Sequence, residues 1–215
     1  MSTIAASTFS IGSYRRTIIV VLLVLGTLLF SVVPVWPVEE CVGDDCLVTL
    51  RRHVWVGLYD FFLWMETTWF GVIGKTWGAA FALVEAFHLL AMALLGGSVF
   101  VADARLLGMG FKDVPPQQIL DKAHKVFVWA LAVALFTGIF MACGVAGKIY
   151  FLPVFWYKML ALTTGILFVF FVKRPLLRQG LENLSPLSVK LIAVSSIMVW
   201  VTVAATGRWI GFAGS

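Results

Sequence analysis

Long uninterrupted runs of apolar residues dominate the hydrophobic and polar pattern of this chain. Five runs are long enough to cross the hydrocarbon core of a bilayer as a helix, which takes ~20 residues. The first follows Arg15 and Arg16 and lacks a small-residue cleavage site, so we interpret it as an uncleaved signal anchor. The pattern therefore predicts an all-α integral membrane helical bundle of about five transmembrane helices. The predicted spans are approximately Thr17–Trp36, Trp77–Ala102, Val126–Gly147, Val154–Val172 and Leu191–Phe212.

The segment between the first two spans has a different pattern. Leu47–Gly74 is rich in aromatic residues, yet it also carries several charged ones. Its apolar residues recur at helical spacing, which is typical of an amphipathic helix lying along the membrane interface. A sixth span here would leave only Lys75 and Thr76 as a turn. We therefore divide the chain into a cytoplasmic tail with the first span (1–38), a periplasmic segment with an interfacial helix (39–75) and a four-helix membrane bundle (76–215).

The distribution of basic residues predicts the topology. With five spans and a cytoplasmic N-terminus, ten basic residues lie on the inside and six on the outside or in the outer half, in agreement with the positive-inside rule. A six-span arrangement would place the two most basic loops outside. We therefore predict a multi-pass protein of the bacterial inner (cytoplasmic) membrane with a periplasmic C-terminus. The inner set is Arg15, Arg16, Arg105, Lys112, Lys122, Lys125, Lys173, Arg174, Arg178 and Lys190, and the outer set is Arg51, Arg52, Lys75, Lys148, Lys158 and Arg208.

Composition agrees with a chain solvated by lipid. Hydrophobic residues make up 61% of the sequence and charged residues only 13%, about half the share of a soluble domain. The net charge of +5 records topology here, so no nucleic-acid partner is predicted. We find no internal repeat, glycine-rich phosphate loop, paired-cysteine metal motif or nucleophilic triad. No catalytic residue is predicted, and whether the chain is an enzyme stays open.

Two of the three cysteines lie close together in the predicted periplasmic segment. Cys41 and Cys46 are separated by Val-Gly-Asp-Asp, which allows a small loop-closing disulfide in an oxidising compartment. A metal site is the alternative, with His53 as the only nearby third ligand. Cys143 lies inside an apolar run and is interpreted as a packing residue.

His88 is the outstanding polar residue within a predicted span. It lies eleven residues after Trp77, and therefore ~16 Å along the second helix, near mid-membrane. Neutral imidazole is a good ligand for haem iron. Glu85 and Met92 occupy the same helix face. The alternatives are a histidine hydrogen-bonded between helices with Glu85 as its partner, and a di-iron site, which we disfavour because the later spans contain no acid.

Three further residues are candidates. Lys158 and Arg208 lie near the periplasmic ends of their helices, where each could snorkel or bind a haem propionate. On straight helices His124 differs from His88 in membrane depth by more than ~15 Å, so the two cannot easily share one iron. His124 is therefore either an ordinary interfacial residue or the ligand of a second, cytoplasmic-side haem.

Several motifs resemble a family of small bacterial membrane proteins. The stretch His88–Gly108 combines a histidine, a small-residue patch and a closing Asp103-x-Arg105-Leu-Leu-Gly108. Phe155-Trp-Tyr-Lys158 and a Gly-Arg-Trp that begins at Gly207 are also similar. The likeness covers about Thr76–Phe212. The family resembles the membrane domain of copper-resistance protein D and, remotely, HemJ-type haem membrane proteins.

The resemblance implies a four-helix bundle that binds haem b through His88. On this basis we expect an electron-transfer protein in which Lys158 and Arg208 contact propionates and Glu85 handles protons or supports the ligand. Its expected partners are a quinone or a periplasmic electron carrier, and other membrane subunits. Two alternatives stay open. One is a non-enzymatic accessory subunit that docks through Trp55, Trp64 and Trp69, and the other is copper or small-solute transport.

Overall fold

The computed structural model describes residues 41–42, 45–46, 49–110, 113–181 and 184–213. Two two-residue strands come first, β1 (Cys41–Val42) and β2 (Asp45–Cys46), and they pair antiparallel. All later elements are helical. The predicted first span Thr17–Trp36 lies outside the described residues.

Four helices in the described part of the chain are long and apolar enough to cross a membrane. They are α3 (Gly78–Leu106), α4 (Pro116–Gly144), the continuous helix from Pro153 to Arg178, and α8 (Pro186–Ala213). The third of these begins as α6 (Pro153–Leu167), widens into a π-helical stretch (Phe168–Lys173) and ends as α7 (Arg174–Arg178). The four later predicted spans are thereby confirmed as long apolar helices.

Most of these helices are longer than their apolar runs. α4 begins at Pro116, ten residues before the predicted Val126, with proline in its first turn. α3 ends at Leu106 and α8 begins at Pro186, each beyond its apolar run. The charged residues beside the runs therefore lie on helical turns. His124 consequently sits within α4, about two turns from its start.

The segment before the four long helices forms two helices. They are α1 (Thr49–Thr67) and α2 (Trp69–Thr76), and the Thr68 side chain caps α2 by accepting from the Gly71 amide at 3.3 Å. The single interfacial helix that the periodicity predicts is therefore interrupted at Thr68. Phe62 of α1 packs on the short helix α5 (Ala146–Tyr150) that follows α4.

The main core lies between the four long helices. Leu95 of α3, Leu131 of α4, Phe168 of the π-helical stretch and Val203 of α8 all belong to one buried cluster. A second cluster, around Leu106, Leu120 and Ala193, lies toward the loops at 107–115 and 179–185. We call this the loop end of the bundle, and we call the opposite end, which carries α1, α2 and α5, the capped end. Cys143 is buried there as a free cysteine, as a packing residue would be.

Candidate functional site

A cavity of about 300 Å³ opens between α1, α3, α4, α6 and α8. Aromatic and aliphatic side chains, among them Phe61, Phe62 and Leu131, form most of its walls. His88 and Lys158 are its ionisable lining residues, and no carboxylate among the described residues lines it. An imidazole and an ammonium group therefore share one apolar chamber, which we call the His88 cavity.

The His88 ring lies against a glycine of the neighbouring helix. A Cβ atom at Gly138 of α4 would come within 3.3 Å of the His88 Cε1 atom. Such a contact is tighter than side chains normally tolerate. The absence of a side chain at Gly138 thus allows the ring to lie close to α4 and reach the cavity.

The hydrogen bonds of Thr137 determine the tautomer of His88. The Thr137 hydroxyl donates to the Val133 carbonyl oxygen at 2.7 Å, so its only proton is in use. Its Oγ1 atom, 2.8 Å from His88 Nδ1, therefore accepts a hydrogen bond from that nitrogen. The proton of the neutral imidazole is then on Nδ1, and Nε2 carries the free lone pair.

Lys158 and Trp200 line the cavity together with His88. Lys158 extends along Gly207 of α8, where an added Cβ would lie 3.5 Å from the Lys158 Nζ atom. No described residue forms an ion pair with Lys158. The Trp200 side chain is 5% exposed, and its buried Nε1 atom has no hydrogen-bond partner among the described residues. The cavity therefore combines an imidazole with an ammonium group that has no counterion among the described residues.

Three methionines also line the His88 cavity. They are Met65 of α1, Met92 of α3 and Met159 of α6. Met65 and Met159 are distant from His88 in sequence, and only the fold brings them to the same chamber. The sequence shows no methionine cluster for this reason.

The other predicted members of the site lie outside the cavity. Glu85 is exposed on the outer face of α3. His88 does form an interhelical hydrogen bond, but its partner is Thr137 and not Glu85. Arg208 is also exposed, and its guanidinium carbon lies 4.6 Å from the centre of the Phe212 ring. Neither residue lines the cavity.

His124 lines a separate, smaller cavity at the loop end of the bundle. Its ring is stacked with Phe127 at 6.2 Å between centroids, and Phe170 meets it edge-on at 5.8 Å. The two histidines therefore belong to different chambers. Their separation agrees with the prediction that they cannot share one iron.

Cys41 and Cys46 are directly opposite each other in the β1–β2 pair. Residues opposed in this way have Cα atoms ~4.5–5.5 Å apart, within the range a disulfide needs. Their side chains and that of His53 lie outside the described part of the structure. The disulfide stays a prediction, and the backbone register supports it.

A buried polar cluster near the loop end was missed by sequence reasoning. The Lys173 ammonium donates to Asp103 Oδ1 at 2.5 Å and to Ser196 Oγ at 2.9 Å. Asp103 and Ser196 are 0% exposed and Lys173 is 6% exposed. Lys173 lies one residue beyond the predicted span Val154–Val172, but in the structure it is the last residue of the π-helical stretch. The available signal was Asp103 itself, an acid fifteen residues after His88 on the same apolar helix.

The profile of a family of unknown function (DUF6644) matches residues 61–213 of the chain. The match begins in α1 and includes all four long helices, the His88 cavity and the Asp103–Lys173 pair. The first predicted span and the cysteine pair lie before it. No curated protein and no solved structure shows a significant match.

Proposed function

Because the chain belongs to the DUF6644 family, whose function is unknown, we propose a function from its own site. The protein is an integral membrane protein that binds haem b through His88 and takes part in electron transfer. The bilayer is its solvent, since four long apolar helices carry the site.

The hydrogen bond between His88 Nδ1 and Thr137 is the observation that carries this proposal. Histidines that ligate a metal usually donate their second ring nitrogen to an acceptor, which fixes the tautomer and orients the ring. Here the acceptor is a threonine hydroxyl whose own proton is already donated to Val133. The remaining nitrogen, Nε2, is the one available to iron.

The remaining lining of the cavity suits an amphiphilic, planar group. Its walls are apolar, while Lys158 supplies a positive charge for a propionate. The volume of about 300 Å³ is at the lower end for ligand sites, ~300–1,000 Å³. However, the partly exposed Leu135 and Ile139 also line it, so the chamber reaches the outer surface of the bundle. We assign the propionate contact to Lys158, since Arg208 lies outside.

Methionines of other helices would be further residues able to hold the haem. Met92 shares α3 with His88, but Met65 and Met159 come from α1 and α6. A thioether contributed by either of them would raise the reduction potential of the haem. Haem supplies one-electron redox chemistry, and the protein holds it, excludes water and tunes it. A quinone or a periplasmic carrier, and other membrane subunits, are the proposed electron-transfer partners.

Localisation is part of the proposal. The loops at 107–115 and 179–185, with the helix ends beside them, carry most of the basic residues of the bundle. By the positive-inside rule this end faces the cytoplasm of a bacterial inner membrane, which places the His88 cavity in the periplasmic half. A cytoplasmic N-terminus and a periplasmic C-terminus follow from five spans.

The test is a reduced-minus-oxidised absorption spectrum of the protein purified in mild detergent after expression with sufficient haem. We expect a haem b spectrum that disappears in His88→Ala. Thr137→Val, which removes the Nδ1 acceptor, should weaken haem affinity by ~10–100-fold, whereas Thr137→Ser should retain it. Circular dichroism and gel filtration check that each variant folds. A folded wild-type protein that stays colourless in excess haem contradicts the proposal.

Copper handling is a second candidate, and the three methionines with His88 in one cavity favour it. Thioether sulfur and imidazole are ligands that Cu(I) accepts. The positive charge of Lys158 in the same cavity would repel a bound copper ion and argues against this function. Elemental analysis of the purified protein separates the candidates, because bound copper without haem would favour copper.

An accessory subunit without a cofactor is the third candidate. Trp69 is 83% exposed and Trp64 is 59% exposed at the capped end. Aromatic residues of this kind often anchor protein interfaces. A folded preparation that is free of both haem and metal, and that co-purifies with other membrane proteins only while these tryptophans are present, would favour this function.

A further inference from the structure

The small cavity at the loop end is lined by basic residues from three elements of the bundle. Its volume is about 50 Å³, and it lies between α3, α4 and the end of the third long helix. His124, Lys173, Arg174 and Arg178 line it, with Gln117 as a neutral donor. Asp121 is the only carboxylate among its described lining residues.

The charges around this cavity do not cancel. Lys173 is neutralised by Asp103 at 2.5 Å. Arg174 has a loose contact with Asp121 at 3.9 Å, and the Asp121 side chain is 49% exposed and therefore screened by solvent. No described residue forms an ion pair with Arg178. The described groups around the cavity consequently leave an excess of positive charge.

The shape of the cavity limits what can enter. About 50 Å³ holds a group the size of a few water molecules, since one ordered water needs ~10–15 Å³ on the same measure. A porphyrin does not fit, so the cavity as it stands does not accommodate the second haem considered for His124. A tetrahedral oxyanion does fit. Its inner wall is apolar, formed by Phe127 and Val169, which strengthens charge interactions at its rim.

We propose that this cavity binds a phosphate group, held by the guanidinium groups of Arg174 and Arg178 with His124 and Gln117 as further donors. Guanidinium matches phosphate geometry with paired hydrogen bonds. The site lies at the ends of membrane-spanning helices, where basic pockets bind the head groups of anionic lipids. A free phosphate ion presents the same chemistry, so the test distinguishes the two sources.

The experiment compares lipids and inorganic phosphate on the full-length protein in neutral detergent. Native mass spectrometry measures retention of phosphatidylglycerol against phosphatidylcholine, and titration calorimetry measures inorganic phosphate. The variant is Arg174→Gln/Arg178→Gln. The control is Lys122→Gln/Lys125→Gln, which removes two exposed charges from α4 near the same end without touching the cavity lining.

We expect the arginine variant to lose phosphatidylglycerol binding by at least ~10-fold and the lysine control to change it by less than ~2-fold. Preference for phosphatidylglycerol over inorganic phosphate identifies a lipid head group, and equal binding identifies a free anion. Equal losses in both variants would show general surface attraction and overturn the proposal, as would binding of neither ligand. The haem spectrum is unaffected in either case, so this result is independent of the His88 cavity.

Discussion

At the scale of single residues, the hydroxyl of Thr137 has the largest chemical effect. Because it donates to Val133, it can only accept from His88. One threonine thereby sets which imidazole nitrogen carries the proton. A valine at this position would have a similar shape but no oxygen to accept the hydrogen bond from Nδ1.

Asp103 and Lys173 form the other decisive residue pair. Both are buried, and Ser196 satisfies one further ammonium proton at 2.9 Å. A buried ion pair is weak evidence for added stability because of its desolvation cost, but breaking it by removing one partner is strongly destabilising. Because the pair is buried, we expect the loss of one partner to lower the free energy of unfolding.

Replacing Asp103 with asparagine should lower the free energy of unfolding by ~3–5 kcal/mol, because it leaves the Lys173 ammonium buried without a counterion. Thermal unfolding in detergent measures the change. Asp113→Asn, at an exposed position in the loop after α3, is the control and should change it by less than ~0.5 kcal/mol.

The double variant Asp103→Leu/Lys173→Met completes this experiment. Removing both charges should restore most of the stability, since neither group then remains unpaired. An Asp103→Asn protein as stable as the wild type would show that the pair is unimportant.

The sequence indicated His88 and Lys158 from their depth and chemistry alone. It could not indicate Thr137, because 49 residues separate it from His88 and threonine in an apolar helix usually bonds only to its own backbone. Lys173 was hidden in the same way. Its place at the end of an apolar run is typical of a loop charge, and only its contact with Asp103, 70 residues away, shows otherwise.

At the scale of elements, the π-helical stretch Phe168–Lys173 shapes the third long helix. Such wide turns are rare and are frequent at functional sites. Here the stretch ends at Lys173 and leads directly into α7, whose Arg174 and Arg178 line the phosphate cavity. The end of this stretch and the turn after it therefore carry three of the basic residues that line the phosphate cavity.

The helices of the capped end are joined to the bundle by Glu66. This carboxylate accepts a hydrogen bond from Lys75 and, at 2.6 Å, one from the Gly147 amide. The hydrogen bond from Lys75, helped by that from Gly147, holds the pKa of Glu66 below its usual 4.5 although partial burial opposes the shift. α1, α2 and the start of α5 meet at this carboxylate.

The lowered pKa of Glu66 predicts acid-sensitive docking of the capped end. A depressed pKa contributes stability that is present above the unfolded value near 4.5 and is lost as the pH falls through the folded value. Hydrogen-exchange protection of the Gly147 amide should therefore decrease between about pH 6 and pH 3. The Glu66→Gln variant should show low protection at both ends of that range, and protection that does not change with pH in the wild type would contradict this role.

The four long helices were predicted because their apolar runs are long. The ends of these helices were not predicted. The apolar runs stop where charged residues begin, but the helices continue through those residues, as α4 does over Pro116–Lys125. The break at Thr68 was also missed. In the sequence Thr68 is one polar residue inside an amphipathic pattern, and only its extended backbone and its bond from the Gly71 amide identify it as a cap.

At the scale of the whole molecule, four long helices place Gly78 and Ala213 at the same end. The turn between α4 and α5 lies at that end as well. The loops around Gly108 and Ser185 lie at the other end, with most of the bundle's basic residues. The geometry and the distribution of basic residues thus predict that the loop end faces the cytoplasm and the capped end faces the periplasm.

Cysteine labelling in intact cells tests this orientation. In a background without native cysteines, Val145→Cys should react with a membrane-impermeant thiol reagent, because the proposed topology places its end of the bundle in the periplasm. Met109→Cys, at a position that is 72% exposed in the loop after α3, should react only after the inner membrane is permeabilised. The reverse pattern would contradict the proposed topology.

The lateral opening of the His88 cavity at Leu135 and Ile139 has a thermodynamic consequence. A ligand that enters there comes from the hydrocarbon phase, so its concentration at the entrance is its aqueous concentration multiplied by its partition coefficient. Occupancy then depends on moles of ligand per mole of lipid or detergent. Diluting a sample with buffer at a fixed micelle content should release little of a strongly partitioning ligand, whereas adding empty micelles should extract it.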